Sequence, residues 1–215
     1  ANSRSADRSI EVTSLKTQWT DGARRLFASI GVVLASWRIT ADMLTISGLV
    51  LHVVATPLVI WGQFGGAAVI LVVAALCDGL DGAVARAGVG TTKAGAFLDS
   101  TTDRISELLV SSGLILFFAR EERWYETVAM LVLLGAAQLV SYARARAEAL
   151  GVECKVGFMS RPERVVGLLL GFALSGVSIA GVNMLTFFVY LVAVLTALTV
   201  VTRFRHVMRA LRALD

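Results

Sequence analysis

Asp78, Asp81, Asp99 and Asp103 stand inside or beside apolar runs, where a carboxylate is costly enough to mark function by default. Asp78 and Asp81 are three residues apart and share one face of a helix; Asp99 and Asp103 are four apart and share a face of the next. Two helices joined by a short turn can aim all four carboxylates at one point. Four negative charges there repel one another unless cations neutralise them. All-oxygen carboxylate ligation suits hard cations such as Mg²⁺ or Mn²⁺, and four carboxylates can hold two of them. A pair of such ions is a known arrangement for phosphoryl transfer. Gly82 would let a phosphate approach the backbone, Gly95 lies one turn before Asp99, and Arg86 follows Asp78 by two turns, placed to bind a diphosphate. The same acids could instead line a proton or divalent-cation pathway in a transporter. Incidental acids at a solvated helix end would not alternate with Gly and Arg at face-matching spacing.

The elements that must position these residues belong to a membrane protein. Of 215 residues, 56% are hydrophobic and 17% charged, against about 45–50% and about 25% in soluble domains. Mean hydropathy is +0.74. The 20 Lys and Arg against 16 acids gather at the ends of apolar runs, a distribution that suits membrane topology and anionic ligands rather than nucleic acid. Cys77 and Cys154 are the only cysteines, so neither a disulfide framework nor a CxxC metal site is expected. The polar, charged N-terminus predicts no cleavable signal peptide.

Residues 1–15 read as a polar tail. From Leu15 to Trp37 apolar residues recur at helical spacing, as in an amphipathic helix lying in the interface or packed on the protein. Six apolar stretches follow, roughly Met43–Trp61, Gly65–Ala85, Ala94–Ala119, Thr127–Val140, Val165–Val182 and Leu185–Val201. The second and third reach spanning length only when their aspartates are counted inside the helix. The predicted fold is therefore all-α: a six-transmembrane-helix bundle with an N-terminal amphipathic helix. Residues 1–40 form the tail and juxtamembrane helix, and 41–215 form the membrane domain.

Lys16, Arg24, Arg25 and Arg38 precede the first span, Arg86 and Lys93 follow the second, and Arg144, Arg146, Lys155, Arg161 and Arg164 follow the fourth. Arg203, Arg205, Arg209 and Arg212 close the chain. The positive-inside rule then puts both termini in the cytoplasm of a multi-pass protein of the cell membrane, with Trp61, Trp124 and Tyr125 at the outer interface. The charges of the second and third spans, the ends of the fourth and sixth and the start of the fifth all fall at the inner depth. This predicts a polar cavity open to the cytoplasmic side.

The pattern Asp78-x-x-Asp81-Gly82-x-x-Ala85-Arg86, eight residues, Gly95-x-x-x-Asp99-x-x-x-Asp103 resembles the signature of the CDP-alcohol phosphotransferases. The resemblance implies transfer of a substituted phosphate from a CDP-linked donor to an alcohol with release of CMP. It implies two divalent cations, Mg or Mn, on Asp78, Asp81, Asp99 and Asp103, with Asp103 also the catalytic base. Gly82, Ala85 and Arg86 would line the CDP pocket, joined by Asp42 and Thr45 of "TADMLT", which is similar to the family's nucleotide-contacting turn although Ala41 replaces a frequent Pro. A homodimer is likewise implied.

"SYARARAEA" (Ser141 to Ala149) and "RPER" (Arg161 to Arg164) resemble the family's phosphatidylinositol phosphate synthase branch of actinobacteria and archaea. That likeness implies a donor of CDP-diacylglycerol or its ether-lipid analogue and an acceptor of inositol phosphate. The acceptor phosphate would meet Ser141, Arg144, Arg146, Arg161 and Arg203, with Arg144 standing where a Lys is expected. A dianionic sugar phosphate needs several cations, whereas serine or glycerol would not. Glycerol 3-phosphate is the alternative anionic acceptor. Arg205, Arg209 and Arg212 read as topology determinants, and His52 and His206 as structural or interfacial.

Overall fold

The computed structural model of the chain describes residues 26–88, 90 and 92–213. The expected tail and the first part of the Leu15–Trp37 helix, with Lys16, Arg24 and Arg25, lie outside the described residues. Within them the order is α1 (Leu26–Ser36), α2 (Ala41–Ile60), α3 (Phe64–Ala87), α4 (Lys93–Arg120), α5 (Trp124–Ala149), α6 (Arg161–Ala173), the two-residue strands β1 (Ser178–Ile179) and β2 (Val182–Asn183), and α7 (Met184–Arg212). The all-helical expectation holds apart from that antiparallel hairpin.

Among the described residues four helices, α2, α3, α5 and α7, are long and apolar enough to cross a membrane. α3 continues through both of its aspartates, as its length required. α4 has 28 residues but carries Asp99, Asp103, Arg104 and Glu107 within its first 15. α6 differs from the expected Val165–Val182 stretch, because it stops at Ala173 after 13 residues. At 1.5 Å per residue it is about 20 Å long, short of a hydrocarbon core about 30 Å thick. Ala180 and Gly181, at φ 50° and 81°, then turn the chain through the hairpin, a two-residue connection that needs positive φ at both positions.

The chain divides into two compact units. One comprises the residues up to 48 together with 74–102; the other comprises 49–73 and 103–215. In the first, α1 lies against α3 with Gly31 and Gly79 at the contact. A Cβ on Gly31 would stand 2.8 Å from the carbonyl carbon of Ala83, and one on Gly79 2.7 Å from the Phe27 ring. That contact fixes the rotation of α3, and Asp78, one residue before Gly79, is turned about 100° away from α1.

The second unit is built around α7, which packs on both α5 and α6. Its core includes the fully buried Phe118, Met130, Val189 and Val192, and Phe64 stacks on Phe172 with ring centroids 5.5 Å apart. α6 meets α7 at Gly167, where a Cβ would lie 2.6 Å from Val192 Cγ2, the close approach that small residues allow between apolar helices. The preceding loop is tied down along its length. Thr199 Oγ1 accepts from the Met159 amide at 3.1 Å, and Arg203 donates to the carbonyls of Val156 at 3.0 Å and Val140 at 2.6 Å.

Arg164 anchors the start of α6 from within. It is 1% exposed and donates through Nε and Nη2 to the two carboxylate oxygens of Glu107, at 2.6 and 3.0 Å, and through Nη1 to the Met159 carbonyl at 3.1 Å. Removing one partner of such a buried pair leaves an uncompensated charge, at a cost of about 3–5 kcal/mol, whereas an exposed pair contributes roughly 0–1 kcal/mol. Glu107→Gln is therefore expected to lower the thermal unfolding midpoint of the detergent-purified protein by several degrees. Glu148→Gln, which breaks the exposed Arg144–Glu148 pair, should leave the midpoint nearly unchanged.

Candidate active site

In the first unit, Asp78 on α3 and Asp99 on α4 are half-buried and bring a carboxylate oxygen each to within 4.8 Å of one another. Asp81, three residues on, is 7% exposed. Its Oδ2 accepts from Thr45 Oγ1 of α2 at 2.7 Å, so a hydroxyl replaces water around a buried acid. Asp103 follows Asp99 by one turn of α4 and lies in the second unit, where its Oδ1 pairs with Arg161 Nη1 at 2.8 Å. An all-carboxylate, partly buried donor set of this kind fits a hard divalent cation and suits a thiol- or imidazole-seeking metal poorly.

Beside these acids the first unit contains a cavity of ≈ 540 Å³, within the range of small-molecule sites. Asp42, Thr45, Gly82 and Ala85, four of the five residues expected at a nucleotide, line it, together with Asp81 and Asp99. Two helix starts open towards it. Thr40 Oγ1 accepts from the Met43 amide at 3.2 Å at the start of α2, and Thr92 Oγ1 from the Gly95 amide at 2.9 Å at the start of α4. Such termini favour anions. Arg86 stands outside the lining; its Nη1 lies 3.3 Å from where a Gly82 Cβ would be, so the glycine lets the guanidinium fold back over α3.

The residues expected at an acceptor phosphate are all in the second unit, and their placements differ. Arg161 opens α6 and reaches Asp103. Arg203 is buried, and its donors go to backbone carbonyls that hold the α5–α6 loop. Ser141 is half-buried next to Val140, and Arg144 and Arg146 are exposed. The last two, two residues apart on α5, are turned about 200° from each other. Arg144 pairs with Glu148 at 2.8 Å.

Two participants escaped the sequence reading. Glu107 continues the four-residue spacing of Asp99 and Asp103, a signal present in the chain, and with Arg164, Arg161, Ser106 and His52 it lines a small cavity of ≈ 40 Å³ in the second unit. Arg38 lines the large cavity and had been read only as a charge flanking the first span.

Residues 38–204 match the sequence model of the CDP-alcohol phosphatidyltransferase family. The phosphatidylinositol phosphate synthase of Mycobacteroides abscessus is 40% identical over 167 residues, covering 72% of this chain and 73% of that protein. The archaetidylinositol phosphate synthase of Pyrococcus horikoshii is 37% identical over 175 residues, covering 81% and 86%. Crystal structures of the Mycobacterium tuberculosis phosphatidylinositol phosphate synthase superpose with TM-scores of 0.76 with CDP-DAG bound and 0.77 in complex with manganese and citrate. Each is 34% identical and covers 85% of this chain, and the chain covers 94% and 88% of those structures respectively. The chain belongs to the CDP-alcohol phosphatidyltransferase family and is an integral membrane transferase.

The carboxylate geometry is tested by metal binding alone. Mn²⁺ titration followed by electron paramagnetic resonance is expected to show binding to the purified protein. Asp99→Asn should weaken that binding by more than about 100-fold, beyond the roughly 10–100-fold expected for loss of a supporting residue.

Proposed function

We propose that this CDP-alcohol phosphatidyltransferase moves a phosphatidyl or archaetidyl group from a CDP-linked lipid to inositol phosphate, releasing CMP. The observation that carries the choice of acceptor is the Arg161–Asp103 pair, a guanidinium 2.8 Å from the carboxylate proposed as the base. An acceptor whose phosphate engages Arg161 presents its hydroxyl beside Asp103. The relatives at 37–40% identity, named for inositol phosphate acceptors, support the same reading.

In the proposed reaction the nucleotide end of the donor occupies the cavity lined by Asp42, Thr45, Gly82 and Ala85. Asp103 removes the proton from the acceptor hydroxyl as its oxygen attacks the phosphorus nearer the lipid. The bond from that phosphorus to the bridging oxygen breaks, and CMP leaves with that oxygen. Asp78, Asp81, Asp99 and Asp103 would hold two Mg²⁺ or Mn²⁺ ions, whose chemistry is to neutralise the diphosphate and the developing charge. Thr45 holds Asp81 in place, and Arg161 anchors the acceptor with the help of Ser141 and Arg144, which share a face of α5. Arg203 contributes by fixing the loop that leads to Arg161.

The Lys and Arg bias of the flanks supports a six-span arrangement, with α4 and α6 completing the bundle, in the plasma membrane. It supports both termini and the nucleotide cavity facing the cytoplasm. On this reading residues 1–40 form the tail and interfacial helix and 41–215 the catalytic domain. The family resemblance supports a homodimer.

The test is CMP release by the purified protein from labelled CDP-diacylglycerol with a panel of acceptors. Release should require Mg²⁺ or Mn²⁺ and should be fastest with inositol phosphate. Faster release with glycerol 3-phosphate, or equal release with unphosphorylated inositol, would overturn the assignment. Asp103→Asn should lower kcat by roughly 10²–10⁴-fold, as expected for loss of a general base. Arg161→Ala should act chiefly on the KM of the phosphorylated acceptor.

A further inference from the structure

The turn between α1 and α2 contains a residue whose backbone is better suited to glycine. Arg38 has φ 62°, the left-handed conformation that costs an L side chain roughly 1–2 kcal/mol. It closes α1 in a Schellman arrangement, with the Ile39 amide bonded to the Leu34 carbonyl at 3.1 Å and the Arg38 amide to the Ala35 carbonyl at 3.0 Å. The same arrangement closes α2 and α5, and there the left-handed residue is Gly62 and Gly151. An arginine is thus retained where this chain elsewhere uses the unstrained residue.

Strain alone does not carry an assignment, since Glu122 closes α4 in the same conformation. What sets Arg38 apart is its position. It lines the ≈ 540 Å³ cavity, and it is the single Lys or Arg among the described residues that do so, facing a lining that includes Asp42, Asp81 and Asp99. It is exposed, and among the described residues its guanidinium enters no ion pair. A nucleotide entering an acid-rich cavity brings phosphate oxygens that those acids repel. A guanidinium offers two parallel donors to such an oxyanion and remains charged at any working pH.

We infer that Arg38 is a donor-binding residue, whose guanidinium holds an oxyanion of the nucleotide phosphate in this cavity. The inference rests on the reading of the cavity as the nucleotide site and adds to it a cationic contact from the turn before α2. The strained backbone aims the side chain, and the charge compensates locally for the acids on α2, α3 and α4. The residue contributes to donor affinity and not to proton transfer, so its removal acts on KM for the CDP-linked lipid and leaves kcat nearly intact.

The experiment is calorimetric titration of the full chain in detergent with CMP, and separately with cytidine, each in excess Mg²⁺. Arg38→Gly relieves the backbone while removing the contact, so its two effects run in opposite directions. Its thermal midpoint should be no lower than the parent's, its CMP affinity should fall by about tenfold or more, and its cytidine affinity should stay within about twofold. If Arg38→Gly does not yield folded protein, Arg38→Gln carries the same criteria at the original backbone. Unchanged CMP affinity would overturn the inference, as expected of a lipid-headgroup anchor or a topology charge. A parallel loss for CMP and cytidine would overturn it in favour of a role in pocket shape. Absence of CMP binding by the parent protein would instead strike the nucleotide reading itself, and the inference with it.

Discussion

Everything in this molecule answers to one constraint: a carboxylate on a helix surrounded by apolar sequence must be compensated where it stands. α3 is apolar enough to span a bilayer and yet carries two aspartates. α4 carries three acids at four-residue spacing on one face, Asp99, Asp103 and Glu107. Each is answered differently. Asp81 takes the Thr45 hydroxyl, Asp103 takes Arg161, and Glu107 takes both edges of Arg164. Asp78 and Asp99 bring a carboxylate oxygen each to within 4.8 Å of one another, a spacing at which like charges repel. A divalent cation relieves that repulsion, which is why the acids read as a ligand set rather than as a structural network.

The depth of legibility followed the range of the interactions. Local periodicity was enough to pair Asp78 with Asp81 and Asp99 with Asp103, because i, i+3 and i, i+4 spacing on a helix leaves no alternative face. Composition was enough for an all-helical membrane protein. The end of α6 at Ala173 was not legible, because an uninterrupted apolar run does not reveal that a hairpin through Ala180 and Gly181 follows. Arg203 was read as a ligand for an anion and proves to bind two carbonyls. Sequence supplies its charge, but only tertiary structure supplies the acceptors that use it. Arg38 was hidden for a related reason, since a positive φ leaves no trace in residue type when the residue is not glycine.

The two units divide the chemical tasks. The unit with α1 and the facing ends of α2, α3 and α4 holds the large cavity and three of the four aspartates. Its precision comes from backbone-close contacts such as Gly31 on Ala83, which fix helix rotation without polar groups. The unit around α7 holds Asp103 and the arginines. Its precision comes from hydrogen bonds to a loop with no regular structure, at the amide and carbonyl of Met159 and the carbonyl of Val156.

These two kinds of positioning respond differently to change. A helix pair packed through glycine tolerates no enlargement, because neighbouring backbone cannot yield, so the donor-side geometry is rigid by construction. A loop held by a few side-chain bonds can be re-tied by substituting one donor or acceptor, moving Arg161 without disturbing α3. On the proposed reading, the reaction type rests on helix packing and the choice of acceptor on the anchoring of residues 151–160. Asp99 and Asp103 sit one turn apart in the sequence of α4. A change of acceptor can therefore proceed through the loop and the start of α6, while the proposed metal-binding and base residues keep the spacing that phosphoryl transfer demands.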